Sequence, residues 1–546
     1  MKQTLPLTRR RMLQLTAPAA FALAAGWNAR GVSARASHGA ITGEPTAALR
    51  GAEVLVQGGN AVDAIVTAAL VAAVVSPNNC GIGGYGGHMT LALDGGKRVT
   101  SIDFNSTAPA ALKADAFLDA AGNVRAEAHD HGWLAAGVPG TLAGLEMALR
   151  KFGTRSFREA VAPAIKLAKD GFPVTTGVVA GIRAAQVKLR QDPASARLLL
   201  RDGGPPVVGS RFANPELAAM LETLARRNSV DSFYRGDIAQ RIAEAFQKNG
   251  GLVTTADLAA YRAREVKPLH VKYGGADIFT APPTAGGLTA LETLLVLDAL
   301  QWSNMLPGNE KTHARVEALR LAWRDRLQLL GDPDKARVPV AKLLSKDYAG
   351  ELAGQVRAAV RAKKPLDIQI ESRAQGGTVH LSCVDASGNL AALTLTHGNS
   401  YGACVTVDGL GLTLGHGMSR FEARPGHPNS PGPGKRPLHN MCPTVVLRGG
   451  KPVLALGGAG GRKIPNALLD VLLAFVGDRL PLEQASEAPR LNTEGGLDLR
   501  IEKRWPAAEV EYLKDLGYKV TIGASARISA VSFDPQTGEC SAATRI

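Results

Sequence analysis

Two threonines that face each other in a glycine-flanked hairpin constrain the fold of this chain more than any other feature. Residues 379–383 alternate between apolar and polar side chains, which is the period of a half-buried strand. Residues 385–389 have the composition of a turn, and a second alternating run follows them. Pairing across this turn places Thr378 opposite Thr396, with Cβ atoms about 4.5–5.5 Å apart.

The glycines before Thr378 suggest that this residue becomes a new N-terminus. Attack of its hydroxyl on the Gly377 carbonyl would convert the peptide bond into an ester that water hydrolyses. The freed α-amino group has a reference pKa of about 7.7–8.0, so it could serve as general base for the hydroxyl of its own residue. Thr396 would hold that amine in place. The pattern alone favours a simpler interpretation, an ordinary hairpin with surface hydroxyl groups.

Three motifs in sequence order shift this balance. They are Thr378-Val379-His380, then Asp385, Gly388 and Asn389, then Thr394-Leu395-Thr396. The region resembles the γ-glutamyltransferase family of N-terminal-nucleophile hydrolases, and the resemblance covers nearly all of the chain after residue 38. It implies an α+β fold, a four-layer αββα sandwich built from two fragments of one precursor. A large subunit (37–377) and a small subunit (378–546) would stay associated after cleavage.

A glycine-rich turn at residues 457–461 precedes a predicted helix. Backbone N–H groups at such a turn suit an anion or a developing oxyanion. The resemblance implies that Thr378 is the nucleophile, that Thr396 is its partner, and that Gly460 and Gly461 form the oxyanion hole. A phosphate-binding P-loop is excluded, because no Gly-Lys-Ser/Thr stands at the required spacing.

The substrate clamp of the family is altered in this chain. Asn105 stands where the family has an arginine for the α-carboxylate of a γ-glutamyl group, a task that suits a bidentate guanidinium. Ser419 replaces the acidic residue for the α-amino group, and Gly398 lies near the position of an asparagine. His439 and Asn440 replace a serine pair. Because a polar site rejects a substrate that leaves its groups unpaired, these changes imply an acyl group other than a standard γ-glutamyl.

Basic and polar groups near these positions are further candidates for substrate binding. Arg420, His416, His439 and Asn440 could bind a substrate carboxylate. His397, His416 and His439 could instead form a metal site, but no carboxylate or cysteine stands at a recognisable ligand spacing. We therefore expect no metal and no cofactor, and a small-molecule amide as the substrate.

The composition limits the partners. Lys and Arg number 63 and Asp and Glu 48, which gives a net charge of +15. This excess suits an anionic substrate, but the positive charges are scattered and no basic–aromatic module is present, so no nucleic-acid partner is expected. The five cysteines show no metal-binding spacing, and their odd number leaves at least one free or bridged to another chain.

Residues 1–36 resemble a twin-arginine export signal. Three arginines at 9–11 precede an apolar run, and Ala34-Arg35-Ala36 is a small-x-small cleavage site. Pro18 and Gly26 interrupt the apolar run, which favours removal over a stable membrane anchor. The mature chain would begin near residue 37 and reach the periplasm or the medium of a bacterium.

Other segments carry weaker signals. Residues 61–75 are almost continuously apolar and predict a buried helix. Residues 81–86 spell GxGxxG, but a helix precedes them where a dinucleotide site needs a strand. Ser400 lies in a GxSxG motif, but the residues after it are β-branched and glycine-rich. Residues 359–375 are charged and predict an exposed linker that leads to the cleavage point.

The sequence is compatible with three functions. A self-processing threonine amidohydrolase with a diverged acyl group is favoured; it would form an acyl-enzyme that water or an amine resolves. The second is an authentic γ-glutamyl hydrolase or transpeptidase acting on glutathione. The third is an unprocessed binding protein that keeps only the pocket.

Overall fold

Two stacked β-sheets form the centre of the protein, and helices cover both outer faces. The computed structural model describes residues 33–36, 38–370 and 376–545. The described helices are α1 (Pro45–Val56), α2 (Ala61–Val75), α3 (Ala126–Asp130), α4 (Thr141–Phe152), α5 (Phe157–Asp170), α6 (Thr176–Gln191), α7 (Pro193–Leu199), α8 (Pro215–Arg227), α9 (Asp231–Arg235), α10 (Asp237–Lys248), α11 (Thr255–Ala260), α12 (Gly287–Ala299), α13 (Asn309–Leu329), α14 (Val340–Leu343), α15 (Lys346–Ala362), α16 (Ile464–Leu472), α17 (Leu482–Glu487) and α18 (Ala507–Asp515). The described strands are β1 (Ser33–Ala36), β2 (Gly39–Thr42), β3 (Gly86–Leu93), β4 (Arg98–Asp103), β5 (Phe172–Pro173), β6 (Arg211–Phe212), β7 (Arg264–Val266), β8 (Leu269–Tyr273), β9 (Ala276–Thr280), β10 (Val379–Asp385), β11 (Leu390–Thr396), β12 (Thr406–Val407), β13 (Leu412–Thr413), β14 (Thr444–Arg448), β15 (Lys451–Ala459), β16 (Leu491–Thr493), β17 (Asp498–Ile501), β18 (Lys519–Ile522), β19 (Arg527–Phe533) and β20 (Cys540–Arg545).

Two of the sheets make up the sandwich. Sheet I has the strand order β1-β2-β10-β11-β3-β4-β7, and sheet II has the order β20-β19-β15-β14-β9-β8. Neighbouring strands in both sheets are antiparallel. The β10–β11 hairpin therefore lies in the interior of sheet I, away from its edges.

Three apolar interiors separate the layers. One lies between sheet I and helices that include α1 and α2, and another lies between sheet II and helices that include α12 and α16. The third lies between the two sheets and consists of Ala40, Ala92, Val384, Leu390, Ala392, Val445, Leu447, Ala455 and Val531. The layers follow the order helix, sheet, sheet, helix, and the prediction of an α+β αββα sandwich is confirmed.

The hairpin has the predicted register but not the predicted exposure. Val379 pairs with Leu395, which continues to Thr378 opposite Thr396 and confirms the register. Every residue of both strands is buried, so the expectation of a half-buried strand is wrong. Sheet II covers the polar face, where His380 Nδ1 lies 2.7 Å from the Thr394 hydroxyl and Nε2 lies 2.9 Å from the Ser382 hydroxyl.

Helix α2 is buried on all sides, as predicted. A capping box sets its start, because Asn60 Oδ1 accepts the Asp63 N–H at 3.0 Å and Asp63 Oδ2 accepts the Asn60 N–H at 2.9 Å. The same carboxylate accepts the backbone N–H groups of Thr154 and Arg155 at 2.8 and 3.0 Å. These bonds attach α2 to the loop before α5.

Two predicted segments fall partly outside the described residues. Of the predicted export signal, only residues 33–36 are described; they form β1, which pairs with β2 at the edge of sheet I. Helix α15 continues to Ala362, and Leu366 and Ile368 pack against the helical interior of sheet II, so the exposed linker begins later than predicted. No described helix combines the length and the apolar character that crossing a membrane requires.

Candidate active site

A small cavity lies beside Thr378. It leaves about 10 Å³ of space open to the centre of a water molecule, which is about enough for one water molecule. Its lining residues are Tyr85, Gly376, Gly377, Thr378, Thr396, Gly398, Arg420, Asn440, Met441, Gly461 and Ile464. Because Gly376 and Gly377 form part of the wall, departure of that segment after cleavage would enlarge the cavity.

The Thr378 hydroxyl lies against the peptide bond that it is predicted to cleave. It donates a short hydrogen bond to the Gly377 carbonyl oxygen and lies 3.3 Å from the Thr396 hydroxyl. Thr396 Oγ1 donates to the same Gly377 oxygen at 2.6 Å. One hydroxyl is thus placed to attack this carbonyl group, and the other is placed to stabilise negative charge on its oxygen.

The backbone after β11 orients the Thr396 hydroxyl. The Gly398 N–H donates to Thr396 Oγ1 at 2.8 Å. A hydroxyl has one proton to donate and two lone pairs that accept. Since Gly398 occupies the acceptor side, the proton of Thr396 is directed at the Gly377 carbonyl oxygen.

Glycine is required on both sides of this contact. Gly377 has a φ of 73°, and a Cβ there would lie 2.4 Å from the Gly398 carbonyl oxygen. At Gly398 a Cβ would lie 2.1 Å from His416 Nε2. The cleavage point and the loop after β11 therefore approach more closely than side chains would allow.

The glycines predicted to form the oxyanion hole lie between β15 and α16. Gly460 has a φ of 142° and Gly461 a φ of 65°. Gly461 opens a short 3-10 helix, Gly461–Lys463, that continues into α16, and it lines the cavity with Thr378. The first N–H groups of a helix have no partner within it, so this position suits an oxyanion formed next to Thr378.

Arg420 is the cation of the cavity, and a neutral histidine holds it. Arg420 Nη2 lies 2.9 Å from His416 Nε2 and 3.3 Å from Asn399 Oδ1. His416 Nε2 also accepts the Asn399 N–H at 2.7 Å, and Nδ1 lies 2.9 Å from the Asp130 carbonyl oxygen. Because Nε2 accepts, Nδ1 carries the proton. Burial lowers the pKa of His416 well below its usual value, which keeps the ring neutral.

Asn105 is buried behind the cavity and does not line it. Its Nδ2 donates to Thr284 Oγ1 at 2.7 Å and to the Pro437 carbonyl oxygen at 2.8 Å. The side chain has no exposed surface. The amide at this position is therefore engaged with the protein interior.

The other altered positions fall into two groups. Gly398 and Asn440 line the cavity together with Arg420. His439 and Ser419 are not among the lining residues. Burial lowers the pKa of His439 well below its usual value, and the Ser419 hydroxyl donates to a backbone carbonyl at 2.9 Å.

Tyr85 is a cavity residue that the sequence analysis missed. It is 4% exposed, and its hydroxyl lies beside Arg420 and Thr396. It directly precedes β3, whose first residue pairs with Thr396. The sequence does contain a signal for it: Tyr85 is an aromatic residue inside the glycine-rich run 81–87, and the dinucleotide interpretation gives that aromatic residue no role.

The competing motifs do not form the sites that their patterns suggest. The glycine-rich run connects helix α2 to strand β3, the reverse of the dinucleotide arrangement. Ser400 lies in a turn with no helix after it. Across the described residues, no three His, Cys, Asp or Glu side chains converge as metal ligands.

Comparison with known proteins identifies the family. A family model described as gamma-glutamyltranspeptidase matches residues 47–545. The chain belongs to this family. The glutathione hydrolase proenzyme of Pseudomonas sp. strain A14 is 35% identical over 472 residues, which cover 83% of this chain and 81% of that relative. The acylase ACY 1 proenzyme of Pseudomonas sp. strain SE83 is 33% identical and covers 91% of this chain and 89% of its own length.

Solved structures of related proteins share the fold. The crystal structure of cephalosporin acylase from Bacillus halodurans has a TM-score of 0.82 at 26% identity and covers 95% of this chain and 96% of that one. Helicobacter pylori gamma-glutamyltranspeptidase has a TM-score of 0.55 at 31% identity and covers 60% of this chain and 96% of that one. This chain is an N-terminal-nucleophile amidohydrolase of the family, and relatives at similar identity are named both hydrolases and acylases.

Proposed function

We propose that this chain cuts itself between Gly377 and Thr378, and that Thr378 then hydrolyses an amide whose acyl group is not a standard γ-glutamyl. The cut would yield a large subunit (37–377) and a small subunit (378–546). The convergence of the Thr378 and Thr396 hydroxyls on the Gly377 carbonyl oxygen carries this proposal.

Self-cleavage would proceed through an ester. Thr378 Oγ1 attacks the Gly377 carbonyl carbon, and Thr396 donates its hydrogen bond to the oxygen as charge develops there. The intermediate collapses, the carbon–nitrogen bond breaks, and the Thr378 nitrogen takes the proton that the hydroxyl released. Water then hydrolyses the Gly377 ester, which leaves a Gly377 carboxylate and a Thr378 with free amine and hydroxyl.

Turnover would use the two groups that cleavage sets free. The Thr378 amine accepts the hydroxyl proton, and Oγ1 attacks the substrate carbonyl carbon. The N–H groups of Gly460 and Gly461 stabilise the oxyanion, and the leaving amine departs with the proton. Water resolves the acyl ester by the reverse sequence of proton transfers. An amine in place of water would give transfer.

The polar groups around the cavity support a changed acyl group. The Asn105 amide is bonded to Thr284 and Pro437, and Ser419 bonds to a backbone carbonyl. Neither supplies the charged partner that a γ-glutamyl group needs at its α-carbon. Arg420 is the cation that reaches the cavity, at a different position from the arginine of the family.

Fragment analysis of the purified protein tests self-cleavage. On a denaturing gel we expect two fragments from the wild type, with Thr378 as the first residue of the smaller one. Thr378→Ala should stay uncut, because it lacks the attacking oxygen. Thr378→Ser should be cut, because it retains that oxygen. An uncut wild type, or a different new N-terminus, would leave the unprocessed binding protein as the remaining function.

A second candidate function is hydrolysis or transfer of γ-glutamyl groups from glutathione. Curated relatives at 35% identity that are named glutathione hydrolase proenzyme favour it. Release of nitroaniline from γ-glutamyl nitroanilide by the processed protein separates the two candidates. We expect weak turnover, and turnover that exceeds that of other acyl nitroanilides would favour the glutathione activity.

The location of the enzyme is also a proposal. We propose that the twin-arginine sequence exports the folded chain to the periplasm or the medium and is then removed. Replacing Arg9 and Arg10 by lysine should hold the enzyme in the cytoplasm, which cell fractionation would detect. Equal export of the variant would contradict a twin-arginine route.

A further inference from the structure

We propose that Arg420 and Tyr85 together bind a carboxylate on the acyl group, and that this acyl group carries no ammonium. The substrate class is then the monoamides of dicarboxylic acids. This inference rests on the proposed function, because it requires Thr378 to act in the same cavity.

The charge of the cavity excludes a zwitterion and favours an anion. Arg420 supplies the charge among the residues that line it, and the other lining residues are glycine, apolar or neutral polar. An ammonium would meet a guanidinium without a carboxylate to offset it. A carboxylate would instead neutralise a buried cation.

Arg420 lacks a carboxylate partner in the described part of the chain. Its side-chain hydrogen bonds there go to Asn399 and His416 through Nη2, and to the Tyr85 hydroxyl. Asp130 acts on Arg420 from farther away and already forms an ion pair with Lys188. A guanidinium has five N–H donors, so two remain for a ligand after these three contacts. Neutral His416 fixes the orientation of the Arg420 guanidinium without adding charge.

Tyr85 supplies a further hydrogen-bond donor beside the Arg420 guanidinium. Its hydroxyl lies next to Arg420 on one side and Thr396 on the other. Burial raises the pKa of Tyr85, so the hydroxyl stays protonated and can donate. A carboxylate bound here would accept from the guanidinium and the phenol, within the cavity that also holds the nucleophile.

The corner of the site where the family binds the carboxylate is closed in this chain. Asn105 Nδ2 uses both of its protons on Thr284 and Pro437. The carboxylate-binding group has therefore moved from the β4 side of the cavity to the loop after β13, where Arg420 lies. This shift places the anion beside Tyr85.

Three matched nitroanilides test the substrate class on processed enzyme. Glutaryl nitroanilide differs from γ-glutamyl nitroanilide only in lacking the ammonium group. Glutaramic acid nitroanilide differs from glutaryl nitroanilide in having a neutral amide of the same shape in place of the carboxylate. We expect kcat/KM for the glutaryl compound to exceed that of each of the others about tenfold or more, since a charge-assisted hydrogen bond contributes that much. Equal turnover of the neutral compound would overturn carboxylate binding by Arg420 and Tyr85. Faster turnover of the γ-glutamyl compound would overturn the exclusion of ammonium.

Variants assign the effect to Tyr85. Tyr85→Phe keeps the ring and should raise KM for the glutaryl compound severalfold, with little change for the neutral one. Tyr401→Phe is the matched control, because it removes a buried hydroxyl that has no hydrogen-bond partner among the described residues. An equal loss of kcat on both substrates for Tyr85→Phe would show that Tyr85 acts on Thr396 and not on the carboxylate.

Calorimetric binding of free acids separates failure of this inference from failure of the proposed function. If the protein is cut at Thr378 but turns over none of the three compounds, glutarate should still bind more tightly than its neutral diamide, glutaramide, or L-glutamate. Absence of that preference in cut protein would overturn carboxylate binding by Arg420 and Tyr85, and would leave the proposed function in place. An uncut protein would overturn the proposed function.

Discussion

Gly376 and Gly377 are neighbours of the same residue type, yet the structure gives them different tolerance for a side chain. A Cβ on Gly376 would meet no atom of the described residues within 4 Å. A Cβ on Gly377 would lie 2.4 Å from the Gly398 carbonyl oxygen, and its φ is 73°. The second glycine thus sets how closely the cleavage point approaches the loop that orients Thr396.

Gly377→Ala should slow self-cleavage about tenfold or more. Relieving the contact with Gly398 moves the Gly377 carbonyl away from the two hydroxyls, and near-attack geometry tolerates little displacement. The measurement is the fraction of cut chain against time on a denaturing gel. Gly376→Ala is the control and should be cut at close to the wild-type rate. Equal rates for the two variants would show that the close approach is not needed.

Thr396→Val should also slow cleavage, for a chemical reason. It keeps the shape of the side chain but removes the donor to the Gly377 oxygen at 2.6 Å. Loss of one oxyanion donor costs about a hundredfold to a thousandfold in rate. Thr396→Ser keeps the hydroxyl and should cut much faster than the valine variant in the same gel assay. Similar rates for the two would remove Thr396 from the mechanism.

At the scale of elements, helix α2 depends on one buried carboxylate. Asp63 accepts four hydrogen bonds, from Asn60 N, Thr154 N, Thr154 Oγ1 and Arg155 N. The apolar pattern of residues 61–75 explains why the helix is buried. The carboxylate explains where it begins and how it joins the loop before α5.

Asp63→Asn should lower the free energy of unfolding by about 1–3 kcal/mol, because an amide offers one acceptor oxygen and turns a donor toward the remaining N–H groups. Asp347→Asn makes the same change at an exposed position in the first turn of α15. That control should change stability by no more than about 0.5 kcal/mol. Denaturant unfolding measures both, and equal effects would contradict the role of buried hydrogen bonding.

At the scale of the whole molecule, strands from both sides of the cleavage point share both sheets. In sheet I, β2 pairs with β10 and β3 pairs with β11. In sheet II, β9 pairs with β14. Cleavage removes one peptide bond and leaves these ladders and the interiors between them in place.

The cut protein should therefore run as one species in native size-exclusion chromatography and as two bands on a denaturing gel. Separation of the fragments should require denaturant, because it breaks both sheets. The uncut Thr378→Ala variant is the control for the elution volume. Separate elution of the fragments in native buffer would contradict the shared-sheet arrangement.

Buried titratable groups predict how stability depends on pH. Burial lowers the pKa of six histidines: His88 and His313 to about 4, His380 and His397 to about 3, and His416 and His439 well below the usual value. Burial raises the pKa of three glutamates: Glu44 to about 7, and Glu292 and Glu317 above the usual value.

The histidines should dominate the pH dependence of the free energy of unfolding between about pH 4.5 and 6.5. There the unfolded chain binds protons that the buried rings exclude, so stability rises with pH, whereas the glutamates oppose this trend with fewer groups. The free energy of unfolding should be lower at about pH 5 than at about pH 7. His380→Gln, which cannot take up a proton, should flatten the slope, and a stability that falls with pH in this window would contradict the prediction.

The sequence alone determined the register of the hairpin, the buried helix and, through resemblance, the fold. These features depend on local alternation, turn residues and short motifs, which can be recognised in the sequence because they involve residues close together in the chain. The tertiary structure decided which groups face the cavity. Asn105 is withdrawn from it by Thr284 and Pro437, which lie 179 and 332 positions away in sequence. Arg420 and Tyr85 are brought together from distant positions in the chain, and no local pattern encodes a contact of that range.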